Sequence, residues 1–293
     1  MALTFESKTK DQISYEEFLI KVTETIRKND LSSLIDCAET LQMLANNETF
    51  LCEYLNAGLE NYNTFQEDNR YNSDIFILHR TPLFFIRCVV WNGRSMETEQ
   101  IRKQEDIYHT LRAHDHNFSF LTVGYLNDGY LTDIWEYDNE SVIGYIGEKV
   151  ELRFLERTNL PKGKAMLYRA SKDIHAQHPP AQQSVSLNIM FNDIETLNKE
   201  QYYFDVKNGT IDSHVSVSSS GRHLILEMAK IFGNLQTFEL VENIANKHQS
   251  PHIRAKAFET LSHITGDKQI WQQAYKDSDK IVKTYADRAL NTI

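Results

Sequence analysis

Three cysteines in 293 residues, Cys37, Cys52 and Cys88, are odd in number and widely spaced, which excludes a disulfide framework and a Cys-x-x-Cys metal site. They read as buried free thiols of a protein kept in a reducing cytoplasm. Basic residues are outnumbered: 31 Lys and Arg face 41 Asp and Glu, the net charge is −10, and no Lys/Arg block stands out. Nucleic acid is therefore not the expected partner. No apolar run approaches the roughly 18 residues of a membrane span. The start, Met1 to Lys8, lacks a basic region followed by an apolar core, so no signal peptide is read there and the expected location is cytoplasmic, away from membranes. Also missing are G-x-G-x-x-G, Walker A, G-x-S-x-G and H-E-x-x-H. No Ser or Cys sits in a nucleophile context. Phosphoryl and acyl transfer fall behind metal chemistry.

What is present looks globular: 41% hydrophobic and 25% charged residues suffice for one large domain or two modest ones. From Ile13 to Tyr62 the pattern is helical. Ser14 and Glu17 form a capping-box pair, and Phe18, Val22 and Ile26 recur on one face behind it. A second helix is expected from Asp30, carrying Leu34, Leu41 and Leu44, and a third from Asn47 through Phe50 to Leu59. Helices this short need something larger to pack on. Asn61 to Ser73 reads as a loop.

The texture then turns to strands. Asp74–His79 and Leu83–Trp91 are β-branched and aromatic, bounded by Pro82 and Asn92-Gly93. Arg94 to Leu111 reads as a charged helix or ordered loop. Phe118–Leu126 and Tyr130–Tyr137 flank Asn127-Asp-Gly129, a hairpin signal. Further strands are expected at Val142–Ile146, Val150–Glu156, Lys164–Arg169 and Ser184–Phe191, with a hairpin from Tyr202 through Asn208-Gly209 to Val217. Many short strands with regular turns predict a sandwich or barrel. Ser218–Gly221 reads as a linker, and the rest as helical. Ser250–Leu261 and Ser278–Ala289 are similar at an offset of 28 residues (250 to 278), matching Ser250 with Ser278 and Ile253 with Ile281. The offset resembles paired-helix repeats of the HEAT type, a plain helical cap being the other reading. The expected divisions are a helical segment over 1–73, a β-barrel over 74–217 and a helical segment over 222–293.

The chemistry is expected at Arg112-Ala-His-Asp-His-Asn-Phe-Ser-Phe-Leu-Thr-Val-Gly-Tyr-Leu126. His114 and His116 are two apart, so in an extended chain both imidazoles point to one side. His175 follows 59 positions after His116, again beside a β-rich run. First-row divalent metals favour imidazole, and three convergent imidazoles leave positions open for water, dioxygen or substrate.

His114-Asp115-His116, Pro161-Lys162-Gly163 and His175 together resemble the two motifs of the cupin superfamily. A cupin usually adds a glutamate ligand after the H-x-H pair, where this chain has Phe118, Phe120 and Leu121. Without that carboxylate the set is similar to the three-histidine iron site of cysteine dioxygenase and related thiol dioxygenases. That branch also has a helical N-terminal part, a leading strand with a substrate-binding arginine, and a late strand containing Ser-Leu. Arg80 and Ser184–Met190 stand at the corresponding places, although Asn188 and Met190 replace that branch's His and Tyr. The long Arg94–Leu111 segment also departs from it, which puts cysteine in doubt as the substrate. The similarity spans Ile75 to Phe191.

The resemblance implies a mainly β protein: a cupin barrel (double-stranded β-helix, jelly-roll) with N- and C-terminal α-helical segments. It implies His114, His116 and His175 as ligands of Fe(II) or another divalent metal, Arg80 as anchor for an anionic substrate group, and a small molecule and dioxygen as reactants. The logic is electrostatic: neutral imidazoles leave the ion its full charge, which an anionic substrate atom can offset. Asp115, Asp173, Gln177 and Asn188 are candidates to fix the imidazole tautomers, Asp115 facing the opposite side. His178 could replace or join His175, Asp133 or Glu136 could add a carboxylate, and His109 reads as solvent-facing. Tyr125, Tyr130, Trp135 and Tyr168 could line a pocket or form core. Arg169 and Lys172 could hold a substrate carboxylate or simply be solvated. Two other functions fit the same residues: a different metal-cupin reaction, isomerisation or decarboxylation, and a non-enzymatic ligand sensor whose C-terminal helices engage a protein partner.

Overall fold

Ser14 starts the first long helix as its motif requires. In the computed structural model its Oγ accepts from Glu17 N at 3.1 Å while its own N donates to Glu17 Oε2 at 3.3 Å. Two otherwise orphaned backbone donors are satisfied at the head of α1 (Tyr15–Thr25), and Phe18 and Val22 are turned inward. Ser14→Ala should therefore cost about 1 kcal/mol in denaturant unfolding, with no change in metal content. The structure describes residues 3–6, 9–69, 71, 73–93, 112–192, 199–215 and 220–291. The charged segment from Arg94 to Leu111, with His109, lies outside them.

The expected second helix is two: Asp30 caps α2 (Leu31–Asp36), and Cys37 separates it from α3 (Ala38–Asn46). α4 is Phe50–Glu60. By its contacts the chain divides into one unit of Met1–Asn139, Glu151–Asp193 and Tyr203–Gly209, and a second of Glu140–Val150, Ile194–Tyr202 and Thr210–Ile293.

The first unit holds two antiparallel sheets. One runs β1 (Leu3–Phe5), β8 (Ala165–Tyr168), β5 (Phe120–Leu126), β10 (Ser184–Phe191), β3 (Phe84–Trp91), β2 (Ile75–Arg80). The other runs, within this unit, β11 (Tyr202–Asp205), β4 (Ala113–His114), β9 (Asp173–His178), β6 (Leu131–Glu136), β7 (Arg153–Asn159). β3, β5, β8 and β10 are buried along almost their whole length because both faces of that part of the sheet are covered. Phe84, Ile86, Cys88, Leu121, Val123, Leu187 and Ile189 face outward and pack under Phe18, Leu34, Leu41, Leu44 and Phe50 of the N-terminal helices. Phe85, Val89, Trp91, Phe120, Met166, Tyr168 and Met190 face inward and meet Ile134 of the second sheet. Each such fully buried side chain stabilises the fold by roughly 1.5–3 kcal/mol. This is a mainly β protein with helices at both ends of the chain, as the sequence predicts.

Asn127-Asp-Gly129 does not close a hairpin. β5 belongs to the first sheet and β6 to the second, so the turn is a corner between sheets. Gly129 takes φ +68, and a Cβ there would stand 1.9 Å from the Leu160 carbonyl oxygen, so the turn chemistry serves a close backbone approach. Val142–Ile146 forms no strand. Its backbone instead wraps the buried Glu148 carboxylate, which accepts from the N–H groups of Ile143, Gly144 and Tyr145. Of the three thiols only Cys37 and Cys88 are buried, and burial pushes both up to about 12; Cys52 is exposed.

The second unit is built on α5 (Ser220–Phe232), α6 (Leu235–Lys247), α7 (Pro251–Thr265), α8 (Gln269–Ala274) and α9 (Lys280–Asn291). Leu226, Val241, Ile253, Phe258, Leu261 and Val282 form its core. Ser220 and Gly221, read as linker, open α5; Ser218 and Ser219 lie outside the described residues. Ser250 caps α7, but Ile281 N is capped by Asp279 rather than by Ser278. Among the described residues no helix is long and apolar enough to cross a membrane.

Candidate metal centre

β4 is two residues long, yet it sets the site. It pairs with β9 so that His114 lies directly opposite His175. Cross-strand partners share one face of a sheet, with Cβ atoms about 4.5–5.5 Å apart. His116 follows at i+2. The three rings form a nearly equilateral group, with centroids 4.5 Å apart for His114–His175 and 5.0 Å for both His114–His116 and His116–His175. Each offers one ligand atom, and these atoms all lie within 4.8 Å of one another, the only such group of three His, Cys, Asp or Glu among the described residues.

The surroundings suit a cation held by neutral donors. His114 and His175 are buried, and His116 is half-buried. His114 Nδ1 meets the Arg112 carbonyl oxygen at 2.9 Å. A carbonyl only accepts, so Nδ1 carries the proton and Nε2 is the ring's acceptor nitrogen. His175 Nδ1 is enclosed and has no hydrogen-bond partner. Burial, reinforced by the neighbouring His114 and His116, holds His175 well below its ordinary value, so the ring is neutral at pH 7. An enclosed imidazole nitrogen without a partner is costly unless something else fills the role, and neutral imidazole is a donor that first-row divalent ions favour.

Aromatic rings pack against the triad. Phe118 stacks on His116 at 4.7 Å, Phe120 meets it edge-on at 5.5 Å, and Tyr168 lies 4.6 Å from His175. Beyond them polar groups are set among the apolar side chains of the interior. β10 points Ser184, Ser186 and Asn188 inward while Val185, Leu187 and Ile189 face the helices. Trp91 Nε1 donates to Ser186 Oγ at 2.9 Å, and the Asn188 amide, oriented to satisfy both partners, donates to Thr122 Oγ1 at 2.5 Å and accepts from Arg87 Nε at 3.3 Å. Tyr130, fully buried beside Tyr168, Gln177 and Thr122, is raised by desolvation.

The structure sorts the remaining candidates. Arg80 is exposed at the end of β2, opposite Phe85 and 5.7 Å from its ring. Arg87, unremarked in the sequence, reaches the interior; only its parity with Phe85 and Val89 in the β3 run would have signalled it. His178 turns to the other face of β9 and meets Asp133 at 2.8 Å, so neither joins the triad. Glu136 is engaged by Arg153 and Arg169. Asp115 faces away from the imidazoles, as alternation requires, and accepts from Tyr137 OH at 2.7 Å. Asp173 is held by Arg169, and Lys172 is exposed. Tyr125 packs under the N-terminal helices and Trp135 against Phe154, while Tyr130 and Tyr168 line the interior. The Arg112 carbonyl was missed because a backbone group leaves no mark in composition.

The Glu136 carboxyl is lowered to about 2 by its hydrogen bonds to Arg153 and Arg169. Its value is depressed in the folded protein relative to about 4.3 in the unfolded chain, so its stabilisation is present above that pH and fades as pH falls towards 2. Unfolding of Glu136→Gln should match wild type near pH 2 and be weaker above pH 5, as followed by circular dichroism. A constant difference across that range would remove the ion pair as its cause.

No protein family's sequence profile matches the chain, and no curated protein matches it either. Solved structures similar to it include hydroquinone 1,2-dioxygenase from Sphingomonas sp. TTNP3, at 13% identity over 42% of this chain and 68% of that one, TM-score 0.28. Salicylate 1,2-dioxygenase from Pseudaminobacter salicylatoxidans is 9% identical over 47% of this chain and 33% of its own, TM-score 0.26. FeII HppE is 12% identical over 40% and 48%, TM-score 0.24. The chain's own topology is two antiparallel sheets, with the three-histidine group on an inner face of the second.

Proposed function

We propose that this protein is a mononuclear non-haem iron(II) oxygenase of the cupin type, acting on a small molecule through His114, His116 and His175. The observation that carries the reading is the triad itself: three convergent imidazoles, enclosed by aromatic rings, with no carboxylate among the donors. Fe(II) held there would supply redox chemistry and an uncompensated charge for an anionic substrate atom. The chain's own residues prepare the rest. The Arg112 carbonyl keeps the His114 proton on Nδ1. Phe118 and Phe120 exclude water from one side of the triad. Asn188, Thr122 and Arg87 present polar atoms to the interior, where a small polar substrate would be oriented. Arg80 is the anchor for an anionic group at the exposed end of β2. The working location is the cytoplasm.

Freshly purified protein should hold close to one iron per triad and, once loaded with Fe(II), consume dioxygen with a member of a panel of small anionic and phenolic compounds. Metal retained without dioxygen uptake by any compound would favour isomerisation or decarboxylation. Absence of bound metal in both the purified and the Fe(II)-supplied protein would remove the metal reading.

One observation favours a second reading, a ligand sensor with a protein partner. α5 and the start of α6 expose Ile225 (68%), Ile231 (75%), Phe232 (75%) and Leu235 (87%) to solvent. Contiguous apolar surface of this kind marks interaction sites. Ile231→Glu with Phe232→Glu should then abolish self-association or partner capture, as read by light scattering and pull-down, with dioxygen chemistry absent. Unchanged association would remove this reading.

A further inference from the structure

The second unit contains its own group of imidazoles, built around a carboxylate. Glu200 is buried, with a side chain 5% exposed. His214, at the end of β12 (Thr210–His214), places Nδ1 3.6 Å from Glu200 Oε2, and His223 of α5 places Nε2 3.5 Å from Oε1. Both separations are too long for good hydrogen bonds. His223 Nε2 is enclosed and makes none. No lysine or arginine pairs with Glu200 among the described residues, although a buried carboxylate is costly without a compensating positive charge. His214 and His223 open on a cleft of about 390 Å³ that is also lined by His252 and Tyr285.

A divalent ion held tetrahedrally at about 2.0–2.2 Å sets its ligand atoms roughly 3.3–3.6 Å apart. The two imidazole–carboxylate separations fall at that spacing. We infer that Glu200, His214 and His223 form a second divalent-metal site, of the Zn²⁺ class, that ties the helical unit together. Among the described residues only the barrel triad brings three donors within 4.8 Å of one another, so binding draws the imidazoles of this cluster inward. His214, with a side chain 33% exposed, has room to move. The donor set, two imidazoles and one carboxylate, is that of Zn²⁺ sites and leaves a fourth position towards the cleft for water or His252.

The test is metal counting on the full-length protein, stripped with chelator, titrated with Zn²⁺ and desalted. Wild type should retain two ions per chain, Glu200→Gln one, His223→Gln one and His114→Ala one. His223→Gln is partly exposed and guards against a folding failure in Glu200→Gln, and far-UV circular dichroism checks both. Co²⁺ in the His114→Ala background should give a visible absorption band that His223→Gln removes. Two ions retained in both Glu200→Gln and His223→Gln would overturn the inference while leaving the barrel triad intact. Two ions retained in His114→Ala, with one lost in Glu200→Gln, would support this site and count against the triad. A stability response to pH that Glu200→Gln abolishes, with Zn²⁺ content unchanged, would show a proton-linked ion cluster and overturn the metal.

Discussion

His175→Ala should abolish metal binding at the proposed triad site. Removing one of three ligands should weaken binding at that site on the order of 10²-fold or more, since losing even an outer partner of a ligand typically costs 10–100-fold. The measurement is a thermal or denaturant titration with Fe(II) or Zn²⁺ in the Glu200→Gln background, which isolates the triad. Metal at 100 times its Kd should stabilise the parent by about 2.7 kcal/mol, and His175→Ala by close to nothing. His178→Ala serves as the control, because that ring faces the other side of β9 and pairs with Asp133. It should keep the full metal response. Equal responses in both variants would show that the convergence of His114, His116 and His175 is a packing feature.

Arg169→Met should be the most damaging single change outside the hydrophobic core. Asp173 is fully enclosed, with a side chain 0% exposed, and accepts from Arg169 N at 2.8 Å, Nε at 2.9 Å and a terminal guanidinium nitrogen at 2.5 Å. The substitution removes the guanidinium and leaves the carboxylate with one backbone donor. Breaking a buried pair from one side costs about 3–5 kcal/mol, because the remaining charge is stranded. Urea unfolding of the apo protein would measure it. The double variant Arg169→Met with Asp173→Asn should recover a large part of the loss, since no stranded charge remains. Metal affinity should fall as well. The Arg169–Asp173 turn leads directly into β9, and its Ser171 N donates to the His116 carbonyl at 2.7 Å, so one structure positions two histidines of the triad. A variant of wild-type stability would show that the contacts between Arg169 and Asp173 do not hold this turn in place.

The parts of this molecule that could be read from sequence were the locally encoded ones. The capping box of Ser14 and Glu17 acts over three residues, and the structure forms it. The parity of His114 and His116 is a property of extended backbone, as is the outward turn of Asp115. The β-rich runs at Ile75–Trp91 and Ser184–Phe191 appear as β2, β3 and β10.

What failed was non-local. Asn127-Asp-Gly129 has the composition of a hairpin turn, but whether two strands pair or part depends on where β8 and β10 already sit, and β5 pairs with those. Val142–Ile146 has strand-like residues, but the Glu148 carboxylate offers its backbone donors a better acceptor than any ladder. β10 shows the same limit in reverse. Its Ser-x-Ser-x-Asn face would ordinarily read as the solvent side, and it faces inward because helices cover the apolar side.

The sequence by itself determined the residue types of the site and their local parity: two histidines on one side of a short strand, a third later, and phenylalanines in place of a carboxylate. Only the tertiary structure decided that His175 stands opposite His114, because that register depends on β4 and β9 meeting across nearly 60 residues of intervening chain. The same long-range closure brought the three rings together and left His178 on the opposite face; within the second unit, Glu200 likewise stands between His214 and His223, residues distant in sequence. Backbone parity is written in neighbouring residues; burial and convergence exist only once distant strands have paired.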